Sequence, residues 1–234
     1  MTSWVDFWNR DPSIYVNDRH KLLHYRQVAR DIAALIDDPA AVVLDHGSGE
    51  ALAADLVARA CGALVLCDAA ENTRMRIAER FAGESRIRVV APGALEDMAD
   101  ASFDLIVANS LVQYLDETAL NGALDLWHRL LKPGGRLILA DVIPPGVSPV
   151  QDAAALIRFA WNGGFLTAAL AGLVRTFFSD YRKLRGELGF STHGAETLLL
   201  RLDQHGFDAR RLGHNIGHNP NRMTFEARPK PSGA

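Results

Sequence analysis

The sequence predicts one α/β domain built on a doubly wound, mostly parallel β-sheet. Short apolar runs alternate with helical stretches from residue 40 to residue 142, which is the pattern of βαβ units. A glycine-rich turn follows the first of these runs, and two further runs lie near the carboxyl end. A chain of 234 residues with 48% hydrophobic residues can bury a large core without disulfides or a structural metal.

Five strands and three helices are expected within the alternating region. The strands are short apolar runs of the kind that is buried on both faces of a parallel sheet. They are Ala41–Leu44, Ala63–Cys67, Ile87–Val90, Phe103–Ala108 and Arg136–Ala140, and the helices are Ala51–Ala60, Glu71–Phe81 and Asn121–Leu131. The last helix should stop at Lys132–Gly135, because proline cannot continue a helix and glycine allows a positive φ.

Further helices and two closing strands are expected on either side of this region. The apolar residues recur near the helical period before residue 37 and after residue 150, with a break at Gly163 and Gly164. The expected helices are Asp18–Ile36, Asp152–Trp161, Phe165–Leu184 and Thr197–His205, and the closing strands are Phe207–Leu212 and Arg222–Ala227. The predicted organisation is an N-terminal helical cap (1–39), a core (40–142 and 195–228) and a helical lid insertion (143–194).

The composition argues against several classes of function. A formal net charge of −3 argues against a nucleic-acid-binding protein, which usually has a strongly basic face. The longest apolar stretch, Phe165–Val174, is shorter than the roughly 20 residues that a membrane span needs. We therefore expect a cytoplasmic protein without a membrane span or a nucleic-acid partner. Cys61 and Cys67 lack a CxxC pattern and are expected to be buried, reduced thiols.

The turn after the first strand carries the most specific chemistry. The strand ends at Asp45, and Gly47 and Gly49 follow, so that a nucleotide-like ligand can approach the backbone closely. A dinucleotide fingerprint needs a small residue at the sixth position from Gly47, where Leu52 stands. The carboxylate of Asp45 disfavours a pyrophosphate and favours a ligand that carries positive charge.

Asp45, Gly47 and Gly49 resemble the first motif of the class I S-adenosylmethionine-dependent methyltransferases, [D/E]-x-G-x-G-x-G, with Ala51 in place of the third glycine. Leu131–Leu137 is similar to the L-x-P-G-G-x-[LF] turn before the fifth strand of that superfamily. The resemblance implies a Rossmann-like sheet of seven strands that ends in an antiparallel hairpin. It also implies S-adenosylmethionine as the cofactor, whose ammonium and sulfonium suit a loop that bears a carboxylate.

Other positions extend the resemblance along the chain. Asp68, at the end of the second strand, matches the acid that accepts hydrogen bonds from the ribose hydroxyls, with Ala69 beside it; capping of the next helix is the alternative role. Leu95 and Glu96 fall in the place of the adenine loop. Asn109, after the fourth strand, is expected over the methionine end of the cofactor.

The resemblance implies transfer of a methyl group to an oxygen, nitrogen or carbon nucleophile of a small molecule, with hydrophobic and lipid-like acceptors left open. Methylation of nucleic-acid bases is not expected, because no N/D-P-P-aromatic segment begins at Asn109. A non-catalytic S-adenosylmethionine-binding regulatory or assembly protein is the alternative, and a homodimer is left open. A nicotinamide-dependent reductase is disfavoured by Leu52 and by the absence of a Y-x-x-x-K pair.

The candidate residues for the acceptor side are histidines, tyrosines and one amide. His20, His214 and His218 are the candidate general bases, because imidazole exchanges protons near neutral pH. His214 and His218 lie four apart in a loop with no third ligand nearby, so no metal is expected. Packing on the next helix is the alternative role for Tyr114. The residues expected to contact the acceptor are Tyr15, Tyr25, Gln113 and Tyr114.

Overall fold

The computed structural model describes residues 4–9, 14–177 and 191–231. The strands within them are β1 (Val42–His46), β2 (Ala63–Cys67), β3 (Ile87–Val90), β4 (Phe103–Asn109), β5 (Leu131–Val142), β6 (Phe207–Arg211) and β7 (Met223–Pro229). They form one seven-stranded sheet in the order β3-β2-β1-β4-β5-β7-β6. The pairs among β1 to β5 are parallel, whereas β7 is antiparallel to both β5 and β6. The predicted fold class, with its antiparallel hairpin at the end of a parallel sheet, is confirmed.

Helices join the strands and flank the sheet. They are α1 (Trp4–Asn9), α2 (Asp18–Ala33), α3 (Ala54–Ala60), α4 (Glu71–Arg80), α5 (Gly93–Glu96), α6 (Glu117–Leu130), α7 (Pro149–Gly163), α8 (Leu166–Phe177) and α9 (Ala195–Gln204), with a short 3-10 turn at Val112–Tyr114. Val43 and Leu64 belong to the cluster that packs against α2, α3 and α4. Leu44 and Val65 belong to the opposite cluster, against α6 and α9. Burial on both faces explains the continuous apolar runs of the parallel strands.

Several boundaries differ from those predicted. α3 begins at Ala54 rather than Ala51, because Ala51 has a φ of 45°, outside the right-handed helical region. α6 begins earlier than predicted, at Glu117, because the side chain of Asp116 caps it. β5 begins at Leu131, so the Pro-Gly-Gly turn belongs to an irregular strand whose pairing with β4 shifts register.

α7 and α8 pack on α2. The predicted break between them is present, with Gly164 as the left-handed C-cap of α7 at a φ of 69°. Phe165 forms a small buried cluster with Ala160 and Ala169, against which Leu23 of α2 packs. The predicted continuation of the second helix through 178–184 lies outside the described residues.

The cysteines behave as the composition predicts. Cys61 and Cys67 are free and buried. Burial is the main reason that the pKa of the Cys67 thiol rises to about 12, so this thiol stays protonated at neutral pH.

Across the described ranges, no helix combines the length and the apolar character that crossing a membrane requires.

Candidate active site

A cavity of about 420 Å³ lies at the carboxyl ends of β1, β2, β4 and β5. Ligands of doubly wound sheets bind at this edge, where the strand order reverses, and here it reverses between β1 and β4. The structure brings most of the predicted site residues to its wall. They are Tyr15, His20, Tyr25, Gly47, Gly49, Asp68, Ala69, Asn109, Gln113, Tyr114 and His218.

The glycine turn after β1 is held against the end of β2. The backbone N–H groups of Gly47 and Ser48 both donate to the carbonyl of Cys67, at 2.7 and 3.1 Å. Gly47 and Gly49 have φ values of 80° and 56°, which glycine adopts without strain. A Cβ atom on Gly49 would also stand 2.7 Å from the Tyr25 hydroxyl oxygen. Glycine at this position therefore serves both the turn and the close approach of α2.

Asp68 orders this turn through its carboxylate. Its Oδ2 accepts from the N–H of Gly49 at 2.9 Å and its Oδ1 from the N–H of Ala70 at 2.8 Å. Ala70 is the N-cap of α4, and no side chain makes the capping hydrogen bond there. Asp68 is therefore not the N-cap of α4, although its carboxylate accepts from the N–H of the residue that is. Each oxygen keeps a further lone pair for a ligand, and burial raises the pKa of the carboxyl group.

Asp45 lies below the wall of the cavity, beside a void of about 40 Å³ that Ser48 and Asn109 also line. Burial and the nearby carboxylate of Asp68 raise the pKa of Asp45 to about 7. Ser48 Oγ and Asn109 Oδ1 are buried and find no hydrogen-bond partner within the described part of the chain. Because buried polar atoms are almost always satisfied, this end of the cavity suits a ligand that brings hydrogen-bond donors.

α2 is fastened to the glycine turn by tyrosines and an ion pair. The N–H of Glu50 donates to the Tyr25 hydroxyl oxygen at 2.9 Å. The hydroxyl of Tyr15 is in turn hydrogen-bonded to that of Tyr25. Lys21 forms an ion pair with the carboxylate of Glu50. Tyr25, predicted to contact the acceptor, thus has its hydroxyl on the glycine turn.

Three imidazoles meet in an aromatic cluster beside the cavity. The ring of His218 lies 6.1 Å from that of His20 and 5.8 Å from that of His24, and it stacks on Phe159 at 4.4 Å. Burial lowers the pKa of His20 and His218 to about 4 and that of His24 to about 3, so all three are neutral at pH 7. His24 was not predicted, although its place four residues after His20 puts both on one helix face. Among the described residues, no three His, Cys, Asp or Glu side chains are grouped to hold a metal ion.

The three predicted bases differ in their positions. The Nδ1 of His20 accepts from a backbone N–H at 3.3 Å, so its neutral ring carries the proton on Nε2 and offers a donor. The Nδ1 of His218 is buried and finds no partner among the described residues. His214 is exposed and does not line the cavity, contrary to what a base requires. The neighbouring Asn215 takes the inward position, where its Oδ1 accepts from the N–H of Asp141 at 3.0 Å.

The far end of the cavity is aromatic with a buried amide. The ring of Tyr114 meets those of Trp4 and Trp8 edge-on at 4.8 and 6.0 Å, so it packs against α1. Gln113 is buried, and its Oε1 has no partner in the described ranges. Ser110 and Asp141 also line this end, and both have a φ of 55°. No sequence pattern marks these two residues, because left-handed backbone at a residue other than glycine depends on the surrounding fold.

The two residues predicted for the adenine loop lie apart from the cavity. The Leu95 side chain is buried in the core, whereas Glu96 is exposed. Arg129 donates to the carbonyl oxygens of both, at 3.4 and 2.9 Å. Their carbonyls are thus engaged in holding α5, and their contact with a cofactor stays a prediction.

Comparisons with known proteins support the same fold. Residues 44–139 match the family model described as a methyltransferase domain. Similar solved structures include YcgJ of Bacillus subtilis, at 12% identity and a TM-score of 0.60, with 89% of this chain and 100% of that chain covered. The N-methyltransferase NodS of Bradyrhizobium japonicum, in complex with S-adenosyl-L-homocysteine, is 21% identical with a TM-score of 0.55 and coverage of 91% and 87%. The 1,6-didemethyltoxoflavin-N1-methyltransferase of Burkholderia thailandensis is 18% identical with a TM-score of 0.54 and coverage of 87% and 79%. A search of curated proteins found no match.

Proposed function

We propose that the chain, whose sheet topology and matching family model support membership of the class I S-adenosylmethionine-dependent methyltransferase superfamily, moves the methyl group of S-adenosylmethionine to an oxygen, nitrogen or carbon nucleophile of a small molecule. One observation carries the proposal: the glycine turn, Asp68 and Asn109 share a single cavity with aromatic and amide side chains from α1, α2 and the Val112–Tyr114 turn. Methyl transfer is an in-line displacement from an activated donor, so alignment and exclusion of water supply most of the catalysis.

The end of the cavity beside the glycine turn fits this cofactor. The two carboxylate oxygens of Asp68 suit the two hydroxyls of a ribose. Asn109 Oδ1, buried and unsatisfied among the described residues, would accept from the ammonium group, and this positive charge would favour the ionised form of Asp45 nearby. When bound, the cofactor supplies a methyl group that its sulfonium has already activated. The glycine turn lets the backbone approach the ligand without side chains between them.

The other end of the cavity suits a small acceptor with an apolar body. Leu115 and Ile143 line it together with the buried Gln113. A volume of about 420 Å³ is in the range of small-molecule sites, which are mostly apolar with a few placed polar groups. Trp4 and Trp8 of α1 contribute to the wall, so an acceptor would be shielded from water on that side.

Two measurements test the proposal in order. Calorimetric titration of the protein with S-adenosylmethionine should show binding, and titration with a nicotinamide dinucleotide should not. Binding of the dinucleotide alone would overturn the assignment of the cofactor. Incubation with methyl-labelled S-adenosylmethionine and the small-molecule fraction of a cell extract should then label at least one extract component. Binding without any labelling would favour a regulatory or assembly protein.

A further inference from the structure

Two strained residues face each other at the ends of neighbouring strands. Asn109 of β4 and Ala140 of β5 are paired in the sheet, and the residue after each, Ser110 and Asp141, has a φ of 55°. Left-handed backbone is costly for residues other than glycine and concentrates at functional sites. Both residues line the cavity beside the position of Asn109.

The contacts of Asp141 leave one carboxylate oxygen weakly engaged. The hydroxyl of Ser110 donates to Oδ2 at 2.6 Å, a short and strong hydrogen bond. Among the described residues, the contacts of the other oxygen, Oδ1, are the Asn215 amide at 3.4 Å and the Nε of Arg222 at 3.9 Å. The backbone N–H of Asp141 is fixed by Asn215 at 3.0 Å. The side chain is thus oriented by Ser110 and Asn215, while Oδ1 keeps capacity for a ligand.

Arg222 pairs more closely with a second acid than with the carboxylate of Asp141. The Nη2 of Arg222 lies 2.9 Å from an oxygen of Asp152 on α7, whereas Asp141 is a further ångström from the guanidinium. Its Nη1 is buried and has no partner among the described residues. Burial, and the nearby Asp152, hold the pKa of Asp141 above its ordinary value even though Ser110, Arg222 and Asn215 lower it.

We propose that Asp141 is the general base that takes the proton of the acceptor nucleophile, with Ser110 and Asn215 as positioning residues. The inference rests on the proposed function and narrows the acceptor to one whose nucleophile is a neutral O–H or N–H group. Gln113 Oε1 supplies a second buried acceptor atom in the same cavity, so the small molecule carries a further O–H or N–H to satisfy it.

The proposed reaction transfers one methyl group and releases one proton. A lone pair of the acceptor oxygen or nitrogen forms the bond to the methyl carbon, and the carbon–sulfur bond breaks with its electron pair remaining on sulfur. The proton of the acceptor passes to Asp141 Oδ1, which later releases it to water. The products are the methylated acceptor, S-adenosylhomocysteine and one proton.

The histidines are less suited to this role. The Nδ1 of His20 already accepts from a backbone N–H, so the other nitrogen of its neutral ring is a donor and cannot take a proton. His214 lies outside the cavity wall. His218 stacks on Phe159 with its Nδ1 buried, and its pKa of about 4 makes it a weak base.

The test compares wild type with Asp141→Asn, which keeps the shape and tolerates left-handed backbone. The readouts are transfer of label from S-adenosylmethionine to the small-molecule fraction of a cell extract, and calorimetric affinity for S-adenosylhomocysteine. We expect the turnover rate to fall by about 100-fold or more, the range of general base catalysis, with affinity for S-adenosylhomocysteine within twofold of wild type. Asp141→Glu should restore part of the rate. The control, Asp208→Asn on the edge strand β6, removes an exposed carboxylate and should change neither readout.

The pH profile separates a base from a merely structural residue. The charged groups that face Asp141 are Arg222 and Asp152, and His218 stays neutral from pH 6 to 9. The wild-type rate should rise and reach a plateau, whereas the rate of Asp141→Asn should keep rising with pH because hydroxide replaces the carboxylate. Ser110→Gly, which accepts a positive φ and removes the hydroxyl, should move the rising limb to higher pH, because the Ser110 hydrogen bond lowers the pKa of Asp141.

Each result decides between the alternatives. A loss of rate in Asp141→Asn with the altered profile supports the proposal. A wild-type rate and profile in Asp141→Asn, or an unmoved limb in Ser110→Gly should Asp141→Asn not fold, overturns it while leaving methyl transfer standing. Absence of label transfer by the wild-type protein instead removes the proposed function, and this inference with it.

Discussion

Gly49 is the residue at which the turn and α2 come closest. An alanine there would place its Cβ 2.7 Å from the Tyr25 hydroxyl oxygen in a left-handed backbone. We expect Gly49→Ala to lower the free energy of unfolding by about 1–2 kcal/mol, the cost of a left-handed residue that has a Cβ atom. It should also weaken binding of S-adenosylmethionine in a calorimetric titration.

The matched control for that prediction is Gly122→Ala in the exposed middle of α6, where a Cβ would meet no atom within 4 Å. It should leave stability unchanged or raise it by up to about 1 kcal/mol, because alanine favours helix. If the close contact is the cause, adding Tyr25→Phe to Gly49→Ala should recover part of the loss. Equal stability of Gly49→Ala and wild type in urea unfolding would contradict the interpretation.

Asp68 is the residue on which the ribose assignment depends. Asp68→Ala removes both acceptor oxygens from the cavity and from the turn. We expect calorimetric affinity for S-adenosylmethionine to weaken by about 1–3 kcal/mol. Asp55→Ala, which removes an exposed carboxylate paired with Arg59, should leave the affinity unchanged. Unchanged affinity in Asp68→Ala would reassign the residue to ordering the turn alone.

At the scale of elements, the aromatic side chain of Phe165, the residue before α8, packs that helix against α2. Phe165 is 3% exposed and stacks on the ring of His20 at 5.1 Å. We expect Phe165→Ala to cost about 3–5 kcal/mol in the free energy of unfolding, as for other buried aromatic residues. Leu170→Ala, within α8 but 49% exposed, should cost under about 1 kcal/mol. Similar losses for both variants in urea unfolding would show that the cluster does not anchor α8.

The strands and the glycine turn were predictable because their patterns are local. A buried parallel strand reads as a short apolar run, and Asp45, Gly47 and Gly49 stand within five positions of each other. The exact starts of α3 and α6 were not predictable from these patterns. The start of α3 depends on the left-handed backbone of Ala51, and the start of α6 depends on the side-chain cap of Asp116. Asp141 and His24 were missed for a different reason: only the packing of distant elements brings them to the cavity. His214 carried the right chemistry, but the inward turn of Asn215 leaves it outside.

For the whole molecule, buried histidines govern the response to acid. The pKa is lowered from 6.5 to about 4 for His20, His46 and His218, and to about 3 for His24. The unfolded chain gains protons below pH 6.5 and the folded chain gains them only near pH 4, so these groups remove stability as pH falls through that window. Asp45 acts in the opposite direction, because its pKa is raised from 3.8 to about 7 and the folded state keeps a proton that the unfolded state releases. Above pH 6.5 the histidines make no pH-dependent contribution.

A single substitution isolates the histidine contribution. His24→Gln removes one group that must stay neutral in the fold, so this variant should lose less of its Tm than wild type between pH 7 and pH 5. His214→Gln, which changes an exposed ring, should follow the wild-type curve. Thermal unfolding followed by circular dichroism measures both. A His24→Gln curve parallel to wild type would contradict the burial of that ring in the folded state.

Helix α2 contributes side chains to two parts of the cavity wall. Its Tyr25 holds the glycine turn through Glu50, and its His20 and His24 stand in the aromatic cluster with His218 and Phe159. A shift of this helix would therefore change the surroundings of the proposed methyl donor and of the proposed acceptor at the same time. Thermodynamic reciprocity then requires that whatever the donor does to the affinity for the acceptor, the acceptor does equally to the affinity for the donor. Titrating one ligand at fixed concentrations of the other gives that coupling factor from either side.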